Sequence, residues 1–306
     1  MQASASLSLA IPTYNREVFL EASLDEHAEM AAEAGVYIII SDNASNDRTQ
    51  RVVESFREAT SNILYFRNEY TILPDENIEK VLGYPDSKYV WLLGDTYLIP
   101  KQTFRAVLDA IEEEEYDVII LNVEERVTDV SDKVYVDRNE LLSELGWHMT
   151  CMSSLVYSRH LLQEADYKRY RDTNFLQTGI IFEFLADRPV KVKWISVYSV
   201  MGLKVPGVIK KSWEDQTFEI WTKRWANFVF SLPKSYTLDS KLKCVMDHGK
   251  KARLFRSSGL KRLRFKGILN PQSYQQYVRY FPFTIDASRH FIKLLAFLPR
   301  KLVKYL

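Results

Sequence analysis

Between residues 7 and 123 the chain repeats one pattern: a short apolar run, a polar segment, then a stretch with helical spacing. The apolar runs are residues 7–11, 36–40 (VYIII), 63–66, 89–93 and 118–123. Runs rich in β-branched and aromatic side chains, without polar alternation, suit strands buried on both faces. Between them lie residues 17–34, rich in Ala, Glu and Leu and ended by Gly35, and the helix-like stretches 48–59 and 75–82. After Pro100, the side chains Phe104, Val107, Leu108 and Ile111 share one helical face. The order β-α-β-α-β-α-β-α-β predicts an α/β fold, a mostly parallel Rossmann-like sheet with helices on both faces and a ligand crevice at the carboxyl ends of the strands. Functional residues are then expected directly after the strands.

What stands there is polar. The first strand leads to Pro12, Thr13, Tyr14 and Asn15, the second to SDNASNDRT (residues 41–49), and the fourth to Gly94, Asp95, Thr96 and Tyr97. Neither G-x-G-x-x-G nor G-x-x-x-x-G-K-[ST] is present, so the dinucleotide fingerprint and the P-loop have no basis. Cys151 and Cys244 are far apart with no C-x-x-C pair, which removes a redox couple and a structural zinc site.

The segments SLAIPTYNRE, IIISDNASNDRT, ILYFRNE with Asn77 beyond it, and YVWLLGDTYLIP, in this order and spacing, resemble the successive motifs of family 2 glycosyltransferases of the GT-A fold. The resemblance covers roughly residues 6–125. LGWHMTCMSSLVYS more weakly resembles the acceptor side of bacterial members that build surface polysaccharides, abequosyltransferase-like enzymes among them. The resemblance implies a domain over residues 1–205, with a nucleotide-sugar half (1–100) and an acceptor half (101–205). Residues 206–306, where nothing is recognisable, are expected to form a basic, mainly helical extension.

By this match Asp42 accepts the pyrimidine N3–H, Pro12, Thr13, Tyr14 and Asn15 wall the base pocket, and Arg67, Asn68 and Gly94 line the same cleft. A fixed carboxylate against an N–H favours uracil, because the wrong base leaves the charge unsatisfied. The plainer reading makes Asp42, Ser45 and Asp47 turn and capping residues before the next helix. The family normally carries a D-x-D cluster that holds Mg²⁺ or Mn²⁺ against the diphosphate, and here Asp95 alone remains as the metal ligand. Many members place a Glu-Asp pair as general base before a late helix, yet that position falls near Gln177 and Thr178. His148 and Asp172 are the remaining candidates for the base.

The net charge of +1 conceals a strong polarity. Residues 1–187 hold 16 Lys+Arg against 34 Asp+Glu, whereas 188–306 hold 25 against 6. Eight of the 17 residues from Lys250 to Lys266 are Lys or Arg, and the last twenty mix basic with apolar side chains around Pro299. This composition reads as an interfacial amphipathic segment for anionic lipid or, alternatively, as a packed helix with a solvated basic face. No nucleic-acid module accompanies the charge, so no nucleic-acid partner is expected. Trp213, Trp221 and Trp225 read as core. The start lacks a basic n-region and no apolar run reaches membrane-spanning length, which predicts a cytoplasmic protein, peripheral on the inner face of the cell membrane. The expected activity is inverting transfer of a sugar from a nucleotide-diphospho-sugar, UDP-linked, to a lipid-linked or surface-polysaccharide acceptor. A non-catalytic nucleotide-sugar-binding scaffold and a nucleotidyltransferase are the alternatives.

Overall fold

The structure, a computed structural model, describes residues 5–207, 214–252 and 254–305. Trp213 and Arg253 lie outside the described residues. The strands are β1 (Leu7–Thr13), β2 (Tyr37–Asp42), β3 (Ile63–Arg67), β4 (Tyr89–Leu92), β5 (Tyr97–Leu98), β6 (Val118–Val123), β7 (Lys133–Tyr135), β8 (Leu155–Ser158) and β9 (Val192–Gly202). The helices of this part are α1 (Glu17–Glu33), α2 (Thr49–Ala59), α3 (Pro74–Gly83), α4 (Lys101–Glu113), α5 (Arg138–Leu145), α6 (Arg159–Glu164), α7 (Tyr167–Tyr170) and α8 (Leu176–Phe184). They belong to an α/β fold whose sheet runs β3-β2-β1-β4-β8-β6-β9-β5, with β7 pairing to β9.

The expected elements fall within a few residues of their places, and the expected parallel arrangement is that of β1 to β4. The second half of the sheet is mixed, because β8 runs antiparallel between β4 and β6, while β5 and β7 both pair antiparallel with β9. Two antiparallel steps through β8 restore the direction, so β6 points the same way as β4. The carboxyl ends of β1, β2, β4 and β6 therefore share one edge.

Side chains alternate across the sheet, and both faces are covered. Leu7, Leu9 and Ile11, Ile38 and Ile40, Tyr89 and Trp91, and Ile119 and Leu121 join Leu20 and Leu24 of α1, Val53 of α2, and Phe104, Val107 and Ile111 of α4 in one core cluster. On β1 and β2, α3 packs as well. Strands covered on both sides need apolar residues at nearly every position, which is why their sequences show runs and no clean period of two.

The described chain divides into two compact units. The first comprises Met1–Arg138, Met149–Asp172 and Leu176–Lys210; the second comprises Asn139–His148, Thr173–Phe175 and Lys211–Leu306. The second is helical, built from α9 (Trp225–Ser231), α10 (Leu238–Lys251), α11 (Ser257–Lys266), α12 (Pro271–Tyr277), α13 (Phe281–Thr284) and α14 (Arg289–Phe297). Its core is aromatic: Trp225 is fully buried, and Trp221 stacks on His248 with centroids 4.4 Å apart. Buried Arg264 donates from Nε and Nη2 to the Leu298 carbonyl at the end of α14 and from Nη1 to the Leu269 carbonyl in the turn after α11.

In the first unit, a buried histidine ties α1 to the segment after β4. His27 Nε2 accepts the Ile99 N–H at 2.9 Å, and Nδ1 lies 3.2 Å from Ser23 Oγ. An accepting Nε2 requires a neutral ring with its proton on Nδ1. Burial accordingly pushes the His27 pKa down from 6.5 to about 4, against the opposing effect of its bond to Ser23. The unfolded chain binds this proton first, so the stabilisation is present above pH 6.5 and is lost as pH falls towards 4. Urea unfolding should show a loss of about 3 kcal/mol over this interval from His27 alone. His27→Gln, which keeps an acceptor without a titrating ring, should flatten that part of the profile; an unchanged profile would assign it to other groups.

Candidate functional site

At the shared edge, the order 3-2-1-4 reverses between β1 and β4, and loops leaving neighbouring strands in opposite directions open a crevice there. A side-chain hydrogen bond crosses this seam beyond the strand ladder. Thr13 Oγ1, at the end of β1, donates to Asp95 Oδ2 beyond β4 at 3.0 Å. Pro12 pairs with Ser41 within the sheet, and Tyr14 is exposed beyond it. Asn15 has φ 51° and Ala44 φ 59°, so the loops after β1 and β2 both contain a non-glycine residue in the left-handed region, a cost that surrounding contacts must hold.

Those contacts converge on Asp42, whose side chain is 0% exposed. Its Oδ1 accepts from Ser45 N at 2.9 Å and Ser45 Oγ at 2.5 Å. Its Oδ2 accepts from Tyr65 Oη at 2.6 Å and faces Arg67 Nε at 3.6 Å. Burial, then the bond to Asp42, hold the Tyr65 hydroxyl far above its usual range, so it remains a donor. Ser45 Oγ in turn accepts the Asn15 N–H at 2.9 Å, and Arg67 Nη2 donates to the Ser45 carbonyl at 2.7 Å. One carboxylate thus orders the loops of both strands. The turn role of Asp47 is also present: it accepts from Thr49 N and Oγ1 and from Glu17 N.

Asn68 faces inward and serves as scaffold. Its Nδ2 donates to Asn43 Oδ1 and Asn77 Oδ1, each at 3.0 Å, and its Oδ1 accepts from Lys80 Nζ at 2.8 Å. With Asn77 bonded to both the hydroxyl and the carbonyl of Ser41, these amides fasten α3 to the ends of β2 and β3.

Gly94 sits under the segment that precedes β8. Its N–H donates to Ser153 Oγ at 3.0 Å, and a Cβ there would lie 3.3 Å from that oxygen. The same segment is pinned from α8, where Gln177 Nε2 donates to the Thr150 carbonyl and Thr178 Oγ1 to the Met149 carbonyl. Carboxylates at these two positions would face carbonyl oxygens with no proton to share. Gln177 and Thr178 therefore work as structural donors. Asp172 is exposed at φ 62°, in the first unit, while His148 is fully buried in the second, edge-on to Trp147. The two candidate bases are not brought together within one unit. Among the described residues no group of three or more His, Cys, Asp or Glu is placed to hold a metal, so these side chains alone do not form a metal centre. Sequence reasoning missed Tyr65, Ser45's bond to Asp42 and Ser153. The first was open to detection, since Tyr65 and Arg67 lie two apart on β3 and so share a face.

Removing the hub should loosen the whole cluster. Asp42→Ala strands the Ser45 and Tyr65 donors, and urea unfolding should show a loss of about 3 kcal/mol, against about 1 kcal/mol for Tyr65→Phe. Equal and negligible losses would show that the loops order without the carboxylate.

Comparison with known proteins places this geometry. The sequence profile of Glycosyl transferase family 2 matches residues 8–180. The abequosyltransferase of Salmonella typhimurium is 25% identical over 202 residues, which are 58% of this chain and 59% of that protein. The GalNAc(5)-diNAcBac-PP-undecaprenol beta-1,3-glucosyltransferase of Campylobacter jejuni is 32% identical over 90 residues, 29% of each chain. The matched stretches span less than two thirds of either relative. Among solved structures, S. aureus TarS 1-349 in complex with UDP superposes with a TM-score of 0.60 at 14% identity, covering 95% of this chain and 86% of that one, a likeness of fold. Because the family match runs over more than half of the sequence, from β1 into α8 and through the loops that meet at Asp42 and Asp95, this chain belongs to glycosyl transferase family 2.

Proposed function

We propose that the chain is an inverting glycosyltransferase that moves a sugar from a UDP-linked donor to a lipid-linked saccharide. The observation that carries this reading is the Thr13–Asp95 bond across the β1/β4 seam, beside the buried Asp42 carboxylate and within the family match. The UDP complex of TarS supports the choice of donor, and the undecaprenol-linked acceptor in the Campylobacter relative's name supports the choice of acceptor. In this reading residues 1–205 carry out the transfer and residues 206–306 form the basic extension. Pro12, Thr13, Tyr14, Asn15, Arg67, Asn68 and Gly94 shape or support the donor pocket. Asp42 Oδ2 receives the base N–H in exchange for its long contact to Arg67.

Inversion requires the acceptor hydroxyl oxygen to bond to the anomeric carbon opposite the departing diphosphate, which leaves with the bonding pair, while the hydroxyl proton passes to a base. Asp172, exposed at the surface of the first unit, is favoured for that proton over His148, which is buried in the second. A Mn²⁺ or Mg²⁺ ion would have Asp95 as its one carboxylate ligand in residues 94–97 and would depend on donor oxygens for the remainder. The test supplies UDP-sugars and an undecaprenyl-diphosphate-linked oligosaccharide, following UDP release and the anomeric configuration of the product. Acceptor-dependent UDP release with inversion is expected, reduced at least about 100-fold in Asp172→Asn. Retention, or UDP-sugar binding without transfer, would overturn the reading, the latter in favour of a scaffold.

The second unit supports membrane docking of the same enzyme. On α14, Ile292 and Leu295 are buried, while Leu294 is 51% and Phe297 50% exposed next to Lys293, Arg300 and Lys301. On α11, Phe265 is 69% exposed beside Arg262 and Lys266, both of which pair with Glu214 and so add less charge than Lys293, Arg300 and Lys301. Each cation near an anionic surface contributes about 1 kcal/mol, and exposed apolar side chains add burial in the headgroup region. Because Ile292 and Leu295 help build the core, substitution is a cleaner test than truncation. Cosedimentation with phosphatidylglycerol vesicles should be strong at low salt and lost in the triple variant Phe265→Ser, Leu294→Ser, Phe297→Ser. Equal sedimentation of variant and wild type would make the tail a packed helix with a solvated basic face.

A further inference from the structure

Among the described residues the sheet ends on one side at β3. In its parallel pairing with β2, Ile38 N donates to the Asn62 carbonyl and Asn68 N to the Asp42 carbonyl, each at 2.9 Å. Residues 62, 64, 66 and 68 therefore bond towards β2, and the main-chain groups of Ile63, Tyr65 and Arg67 point outward. Edge strands that stay single are commonly blunted by Pro, a charge in mid-strand or a bulge. Residues 63–66 carry neither Pro nor charge, and β3 pairs with β2 without a register shift.

The side chains of β3 divide between two faces. Ile63 and Tyr65 belong to the core cluster and its margin. Leu64 and Phe66 lie on the other face, where α3 packs on β1 and β2. Phe66 stacks on Tyr84 with ring centroids 4.0 Å apart. Tyr37 shares that face, two residues before Ile39, which pairs with Leu64. Tyr37, Leu64, Phe66 and Tyr84 are all exposed, an apolar strip beside an open strand edge.

This edge is complementary to itself. When two copies of β3 run antiparallel about a two-fold axis at Tyr65, the two Tyr65 residues exchange main-chain hydrogen bonds, and so do Ile63 of each copy and Arg67 of the other. The same register sets Leu64 of each copy opposite Phe66 of the other, in the non-hydrogen-bonded pairs where side chains approach most closely. The ends match in charge as well: exposed Arg57, in the last turn of α2, flanks the start of β3, and exposed Glu69 follows its end. The axis brings each start against the opposite end. A second copy of the chain supplies all of these partners by symmetry.

We propose that the chain forms a two-fold dimer through antiparallel pairing of β3, which joins two sheets into one. The inference is independent of the sugar-transfer reading. A strand of five residues with its flanking side chains is small beside the roughly 1,600 Å² of a standard interface, so the dimer should dissociate in the micromolar range.

Sedimentation equilibrium of the full chain over roughly 1–100 μM should follow a monomer–dimer equilibrium. Leu64→Lys combined with Phe66→Lys sets like charges opposite each other and should weaken dimerisation at least about 10-fold. The register is read by mixing two single variants, Leu64→Cys and Phe66→Cys. Oxidised together they should yield a cross-linked dimer, whereas neither alone should exceed wild type, which controls for Cys151 and Cys244. This mixture decides the matter if the Lys variant does not fold. A wild type that stays monomeric at about 100 μM would overturn the proposal. So would a dimer indifferent to the two Lys substitutions, or cross-linking no greater in the mixture than in the single variants.

Discussion

The structure depends on the complete enclosure of β1. It is hydrogen-bonded on both sides by parallel strands, and helices cover both of its faces. Such a strand is almost wholly apolar along its length, with Ser8 the small exception, so its chemistry gathers at its end. Thr13 is that end, and its bond to Asp95 joins the two loops that part at the β1/β4 seam. The same enclosure requires anchors behind the loops. His27 does this from α1 by accepting the Ile99 N–H, which is why a neutral imidazole is built into the core.

Asp42 illustrates how the site-forming loops become rigid. A fully buried carboxylate is costly without partners, and here Ser45, Tyr65 and Arg67 surround both oxygens. The left-handed conformations at Asn15 and Ala44 persist because the network over-determines them. Any ligand group that bonds Asp42 must therefore exchange with a contact already present, and the 3.6 Å approach of Arg67 is the weakest one to give up.

The segment that precedes β8 is fixed by uncharged donors. Gln177 and Thr178 donate to the carbonyls of residues 149 and 150, so their amide and hydroxyl do work that carboxylates could not.

Much of the first unit was legible in the sequence because two-sided burial demands uninterrupted apolar runs, and helices between them show the period of 3.6. The positions of β1 to β4 and β6, the loops that matter, and the family all follow from those local patterns. Local patterns could not assign β8, which is inserted antiparallel between β4 and β6, since strand pairing is a long-range choice that no window of sequence contains. Nor could they assign the roles of Tyr65 and Ser153. Each of these acquires its role from a partner 23 or more residues away in the chain, such as Asp42 for Tyr65 and Gly94 for Ser153. His148 and Asp172 looked equivalent as titratable residues in a run of text. Tertiary burial separated them, because only folding decides which side chain water and substrate can reach.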